Sequence, residues 1–216
     1  MKGEVWLRAE TPATVRAAVI EKPMVAAKLL KRAKSPVIVV GHEVMAGEGS
    51  RVPQEPGSSR GEEARSGSSR QGGLRPLWTR ERGPSGAESS VLDSVVRIVQ
   101  ATGASVVATG GISAELGKRG VIPVIMSAME AGDRLLDPTW QPAPGQSPPD
   151  YAFLLGIPYP IASVIEAGLA SFAHGHLKIV SLDRLYHPHC DLSLPNQTRE
   201  EWEKSLGAIA REVEKG

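Results

Sequence analysis

The sequence has very little cysteine, since Cys190 is the single one in 216 residues. One cysteine excludes an internal disulfide and an iron–sulfur cluster held by this chain alone. Apolar runs stay well short of the roughly 20 residues that a membrane-spanning helix needs, and the start of the chain lacks the apolar core of a signal peptide. A formal charge of +1 gives no basic field for nucleic acid or an anionic membrane. We therefore expect a cytoplasmic protein that binds neither nucleic acid nor a membrane.

Large apolar side chains are scarce between Ala46 and Ser90, where glycine, serine, proline, arginine and glutamate dominate. Such a segment buries too little apolar surface to offset a conformational entropy of about 1–2 kcal/mol per residue. We expect an insertion (46–90), largely disordered, in the first β-to-α loop of one α/β domain that spans residues 1–216. Its short apolar patch, Leu74 to Trp78, could become ordered on a partner.

The clearest structural pattern in the chain runs from Asp150 to Asn196. Apolar runs of strand length, Tyr151 to Leu155 and Leu177 to Leu182, flank a segment whose apolar residues recur every three or four positions. This order predicts a βαβ unit with two parallel strands. The residues predicted to form the buried stripe of its helix are Ile161, Val164, Ile165, Leu169 and Phe172.

Similar patterns predict the rest of the fold. Pro36 to Val40 and Ala104 to Thr109 are two further strands, and Val15 to Ile20 could be a short helix or an edge strand. A strand-like approach and then a helix are expected within Val121 to Leu136. Other helices are predicted to start at Pro23, near Val91, at Ser113 as N-cap, and at Thr198, which forms a capping box with Glu201. Four strands, each followed by a helix, predict a three-layer α/β/α fold with a mainly parallel, Rossmann-like sheet.

The carboxyl edge of such a sheet is where open α/β folds bind ligands. The candidate cofactor-binding residues follow the predicted strands and are Gly41, His42, Gly110, Gly111, Gly156, Tyr159 and Asp183. Asp183 could accept hydrogen bonds from a ribose, or it could cap the next turn or pair with Arg184. Tyr159 could stack on a flat ring, although packing over the sheet edge is favoured. The G-x-G-x-x-G fingerprint of dinucleotide folds is absent after the first strand.

Metal-ligand residue types cluster at His187, His189, Cys190 and Asp191. Pro188 separates the two histidines, and a second ligand pair at the usual spacing is missing. We therefore expect a surface loop with a buried or partly buried His187 and no metal held by this chain. Ser163 and Ser181 lie outside a G-x-S-x-G motif, so the sequence assigns no catalytic residue.

Longer motifs are similar to those of one family. The segments VVATGGISAEL, GIPYPIAS, SLDRLYHP and TREEW, with KPMVAAKLLKRAKSPVIVVG near the amino end, resemble the epsilon subunits of archaeal acetyl-CoA decarbonylase/synthase (carbon monoxide dehydrogenase) complexes. The resemblance covers Lys22 to Gly41 and Val91 to the last helix. It implies a fold like the NAD/FAD-binding domain of deoxyhypusine synthase, and the insertion is longer than this family leads us to expect.

The resemblance implies an accessory role in acetyl-CoA cleavage or synthesis, part of one-carbon metabolism in methanogenic archaea. The implied partner is the large nickel–iron–sulfur carbon monoxide dehydrogenase subunit, which this chain would stabilise by forming an α2ε2 component with it. The other subunits of the complex are implied as further partners. An FAD- or nucleotide-binding module that transfers electrons in CO oxidation is the alternative. A homodimer is another possibility. An NAD-dependent, deacylase-like enzyme is the weakest hypothesis, because His42 is too isolated to be its catalytic histidine.

Overall fold

The computed structural model describes residues 17–45 and 90–215, which contain seven strands and six α-helices. The strands are β1 (Ala18–Val19), β2 (Pro36–Val40), β3 (Ser105–Ala108), β4 (Val124–Ile125), β5 (Tyr151–Leu155), β6 (Lys178–Ser181) and β7 (Leu192–Ser193). The helices are α1 (Pro23–Arg32), α2 (Ser90–Thr102), α3 (Ile112–Lys118), α4 (Ala128–Leu136), α5 (Tyr159–Phe172) and α6 (Arg199–Glu214). Within these two ranges, no helix is long and apolar enough to cross a membrane.

All seven strands pair in parallel, in the order β1-β7-β6-β5-β2-β3-β4. Alternate side chains of the central strand β2 enter two different cores, because successive residues of a strand point to opposite faces. Ile38 and Val40 join the core that contains α1, α2 and α6. Val37 and Val39 join the core that contains α4 and α5. The predicted three-layer α/β fold with a parallel sheet is confirmed.

The four long apolar strands are confirmed, and they form the centre of the sheet. Three strands of two residues each complete it: β1 confirms the edge-strand alternative for its segment, β4 confirms the predicted strand-like approach to α4, and β7 was not predicted. The capping box is also confirmed, since Thr198 Oγ1 accepts a hydrogen bond from the Glu201 backbone N–H and Glu201 Oε2 accepts one from the Thr198 N–H.

Two local predictions were wrong. Helix α3 begins at Ile112 with Gly111 as its N-cap, while Ser113 lies inside the helix and its hydroxyl donates to the Gly110 carbonyl. The predicted buried stripe of α5 is also incorrect, because Ile161, Val164 and Phe172 are exposed. The buried residues of α5 are Ala162, Ile165, Glu166 and Leu169.

The predicted insertion lies outside the described residues, apart from Ser90, at which α2 begins. The apolar patch Leu74 to Trp78 lies outside them as well. The role of this segment therefore stays a prediction.

Candidate functional site at the carboxyl edge of the sheet

The connections of the sheet change direction between β2 and β5. From β2 the chain continues to β3 and β4 on one side, and it then returns to place β5 on the other side. A change of this kind opens a crevice at the carboxyl ends of the two strands, and open α/β proteins bind their ligands in such crevices. Gly41 follows β2 and Gly156 follows β5, so two of the predicted cofactor residues lie at this crevice.

Gly41 and Gly156 contact each other through their backbones. A Cβ atom added to Gly41 would lie 2.0 Å from the Gly156 carbonyl oxygen. A Cβ atom added to Gly156 would lie 2.5 Å from Cγ1 of Val44, and Gly156 also has a φ of +68°, which disfavours other residues. The close packing of the chain against itself therefore explains both glycines without a ligand.

The turn His42–Met45, one turn of 3₁₀ helix, packs against Gly156 at this crevice. The Glu43 N–H donates to the Gly156 carbonyl at 2.9 Å, and Val44 is fully buried. Arg199, at the start of α6, fixes the turn from the other side because its Nη2 donates to the Val44 carbonyl at 2.9 Å. The Arg199 guanidinium also lies 5.2 Å from the Trp202 ring centroid, a cation–π distance.

Asp183 completes this arrangement. Its Oδ2 accepts a hydrogen bond from the Gly156 N–H at 2.8 Å, and its Oδ1 accepts one from the Arg184 N–H at 2.7 Å. Burial raises the pKa of the carboxyl group, and these two backbone donors oppose that effect. Each carboxylate oxygen therefore accepts one backbone N–H of the chain itself; the ribose role of Asp183 stays a prediction.

Tyr159 packs over a buried polar pair at the same edge. Its ring centroid lies 4.6 Å from that of His187. The ring atom Nδ1 of His187 lies 2.8 Å from Glu166 Oε2. The backbone N–H of His187 donates to the Ser193 hydroxyl at 2.9 Å. Both Glu166 and His187 are buried, and burial raises the pKa of Glu166, while the bond to His187 lowers it. The pair joins α5 to the loop that follows β6.

His42, Gly110 and Gly111 lie on the exposed side of the edge. The Thr109 N–H donates to the Val40 carbonyl at 3.0 Å, which places the end of β3 beside the end of β2. Gly110 has a φ of +48°, and a Cβ atom on either glycine would contact nothing within 4 Å. The structure thus links Gly41, Gly156 and Asp183 directly. Cofactor binding by the seven predicted residues stays a prediction.

Cys190 and Asp191, in the predicted loop with His187, have hydrogen-bond partners of their own. The Cys190 thiol donates to the His187 carbonyl, and burial raises its pKa. Asp191 Oδ1 accepts from Lys178 Nζ and its Oδ2 from the Ile179 N–H. In the described parts of the chain, no group of three or more His, Cys, Asp or Glu side chains could hold a metal ion. The prediction of a buried His187 is confirmed.

Sequence reasoning missed Glu166 and Arg199. The only signal for Glu166 was that it is the one charged residue of α5; that it lies on the buried side, four residues after Ala162 and three before Leu169, is seen only in the structure. The sequence gives no such signal for Arg199, because the two carbonyls that accept its hydrogen bonds, those of Glu43 and Val44, are more than 150 residues away in sequence.

Two cavities open elsewhere in the described chain. One of about 260 Å³ lies at the amino end of β3 and includes Val99, Ser105 and Val121 in its lining. The other, of about 480 Å³, lies between α2 and α6 and is lined mostly by charged residues. Neither is lined by any of the seven predicted cofactor residues.

Comparison with known proteins agrees with the resemblance of the motifs. The family described as "CO dehydrogenase beta subunit/acetyl-CoA synthase epsilon subunit" matches residues 89–210, more than half of the chain. The acetyl-CoA decarbonylase/synthase complex subunit epsilon of Methanothermobacter thermautotrophicus is 31% identical over 134 residues, which cover 61% of this chain and 75% of that protein. The chain belongs to the CO dehydrogenase beta subunit/acetyl-CoA synthase epsilon subunit family.

Proposed function

We propose that this chain is an accessory subunit of an acetyl-CoA decarbonylase/synthase complex. Its role is to bind and stabilise the carbon monoxide dehydrogenase component, an α2ε2 unit, in acetyl-CoA cleavage or synthesis. The observation that carries the proposal is the 31% identity to a protein named as subunit epsilon of that complex. The partners are the large nickel–iron–sulfur subunit and the other subunits of the complex, and the location that goes with this role is the cytoplasm.

The geometry of the carboxyl edge supports a structural role for the chain. The crevice between β2 and β5 holds the buried side chain of Val44, and Arg199 fixes the turn that carries it. Asp183 binds two backbone N–H groups of its own chain. A ligand in this crevice would have to displace these contacts. We therefore propose that Gly41, Gly156 and Asp183 stabilise the edge of the sheet.

The flavin alternative makes a different prediction for the same residues. Electron transfer by this chain requires that it hold FAD or a related nucleotide, and a nucleotide bound at this crevice as in dinucleotide folds would have to displace the contacts of Val44 and Asp183 with Gly156. A titration of FAD into the full chain, followed by flavin fluorescence, separates the two functions. We expect no saturable binding by the chain alone.

The direct test is reconstitution of the full chain with the large subunit of the same complex. We expect the two to co-sediment as one species and CO oxidation to require the large subunit, with the chain alone inactive. Serum albumin at the same mass concentration is the control for non-specific association with the large subunit. Failure to co-sediment, or CO oxidation by the chain alone, would contradict the proposed function.

A further inference from the structure

Four buried side-chain atoms have no hydrogen-bond partner within the described chain, and they are Glu166 Oε1, Ser181 Oγ, His189 Nδ1 and Gln197 Oε1. Buried polar groups in proteins are nearly always bonded to protein atoms or to ordered water, so each such atom needs an explanation. The first three belong to residues that meet between α5 and the sheet, as their contacts show. One shared partner would account for all three.

Ser181 faces the side of the sheet on which α5 packs. Side chains alternate along a strand, and Ile179, two residues earlier in β6, joins the core that contains α4 and α5. Ser181 itself is fully buried. Its neighbour in β7 is Ser193, whose hydroxyl accepts the backbone N–H of His187 at 2.9 Å. Ser181 therefore lies beside the strand residue that holds His187.

Glu166 extends from α5 towards the same place. It is fully buried, and its Oε2 lies 2.8 Å from His187 Nδ1, so Oε1 is the oxygen without a partner. Burial raises the pKa of Glu166, while His187 and the charge of His189 lower it. Burial and the Glu166 charge raise the pKa of the Cys190 thiol, and a hydrogen bond from the Ser181 backbone N–H lowers it. Glu166, Ser181 and His189 thus lie together at the buried Glu166–His187 pair.

Direct contact between these groups does not explain the three atoms. A serine hydroxyl within hydrogen-bond distance of a carboxylate oxygen is its partner, and Ser181 Oγ and Glu166 Oε1 are not partners. A carboxylate oxygen that is buried without a donor is costly. A small molecule that both donates and accepts can bridge the two oxygens. Water does both, and a buried water typically makes about three hydrogen bonds.

We propose that a buried water molecule binds between α5 and β6, where it donates to Glu166 Oε1 and bonds to Ser181 Oγ and His189 Nδ1. The Ser181 hydroxyl can donate to this water, and His189 Nδ1 donates or accepts according to its tautomer. The water solvates the Glu166 carboxyl group inside the core and links the helix to the sheet. It explains how α5 keeps its one charged residue at a fully buried position.

The first test is a high-resolution crystal structure of the full chain. We expect the oxygen atom of a water within about 3.2 Å of both Glu166 Oε1 and Ser181 Oγ. A structure in which these two oxygens bond directly to each other, or in which no water lies between them, would overturn the proposal.

The second test counts long-lived waters in solution by oxygen-17 magnetic relaxation dispersion of the solvent. We expect Ser181→Val to lose one such water relative to wild type, because the variant removes the hydroxyl and its methyl groups fill the site. Ser163→Val is the matched control, since Ser163 is a half-buried serine of α5 that is not among the four atoms without a partner; it should keep the wild-type number.

Circular dichroism checks that each variant is folded. An unchanged number of long-lived waters in folded Ser181→Val would contradict the proposal. If Ser181→Val does not fold, the crystal structure of the wild-type chain decides alone. Neither measurement involves the large subunit, so a negative result leaves the proposed function standing.

Discussion

The carboxyl edge of the sheet and the outer face of α5 differ in how far their residues are buried and contacted by the rest of the chain. At the edge, Gly41 and Gly156 touch, Val44 is buried and both oxygens of Asp183 accept backbone N–H bonds. On α5, Val164 and Phe172 are exposed, and the space over Gly168 is open. The edge is the region where the fold class binds ligands, yet Gly41, Gly156 and Asp183 are all contacted by other parts of the chain there. The open surface lies on a helix instead.

This difference indicates how the protein acts. A group whose hydrogen bonds and packing are complete within the chain has little left to offer a ligand, whereas an exposed apolar side chain gains free energy when a partner covers it. An accessory subunit requires this contrast, because it needs a folded domain that presents a surface to its partner. Four substitutions test this difference.

Gly41→Ala should have the largest effect on stability. The new Cβ atom would lie 2.0 Å from the Gly156 carbonyl oxygen, and a backbone atom cannot rotate away. We expect the free energy of unfolding to fall by at least about 3 kcal/mol. Urea unfolding followed by circular dichroism measures this. Gly111→Ala is the control, since its Cβ atom meets nothing within 4 Å, and it should change stability by less than about 0.5 kcal/mol. Equal effects would contradict close packing at the edge.

Asp183→Ala should destabilise the protein by about 2–3 kcal/mol, because the Gly156 and Arg184 N–H groups lose their acceptors. Asp133→Ala, a change at an exposed acid of α4, is the control and should be close to neutral. A residue kept for a ribose would behave differently: its loss would leave stability nearly unchanged and would remove cofactor binding. Chemical unfolding together with an FAD titration distinguishes the two results.

Glu166→Gln should alter the pH dependence of stability. Burial raises the pKa of Glu166 in the folded state, so its contribution to stability is fully present below its unfolded pKa of about 4.3 and is lost as pH rises through the higher folded value. Glutamine can still accept a bond from His187 but does not titrate. We expect the stability of wild type relative to the variant to decline as pH rises from about 4 towards 7.

Unfolding curves at several pH values measure this difference. The pKa of Asp183 is also raised, but Asp183 is present in both proteins, so its contribution cancels in the comparison to first order. Glu200→Gln, at an exposed position of α6, is the control and should leave the pH dependence of wild type unchanged. A difference that grows with pH would instead mean that an ion pair with His187 dominates the energy of the ionised carboxylate.

Gly168→Ala should have the smallest effect, and it should be stabilising. Alanine is the better helix former, and the space over Gly168 is open, so we expect the free energy of unfolding to rise by about 0.5–1 kcal/mol. Urea unfolding followed by circular dichroism measures this change. A loss of stability would show that the chain itself uses this space.

The sequence predicts the centre of the fold because its signals there are local and long. The buried strands β2, β3, β5 and β6 are continuous apolar runs, and the buried face of α6 follows the helical period through Trp202, Leu206, Ile209, Ala210 and Val213. Strands of two residues give no such signal. β7 pairs with β6 and β1 although only Leu192 and Ser193 form it, so tertiary context determines it.

The orientation of α5 could not be predicted, for a related reason. This helix is apolar almost all round, so periodicity does not select the face that packs on the sheet. Its one charged residue is misleading, because Glu166 is buried and bonded to His187, which comes 21 residues later. At the carboxyl edge, the positions of Gly41, Gly156 and Asp183 follow from the strand ends. Their contacts depend on Val44 and Arg199, which come from other parts of the chain.

The most direct test of the account is the thermal inactivation of CO oxidation by the large subunit, measured with and without this chain, and with and without added FAD. We predict a longer half-life when the chain is present and no effect of FAD on either the half-life or the rate. An unchanged half-life would contradict the stabilising role. A rate that rises with FAD only when the chain is present would contradict the structural assignment of the carboxyl edge.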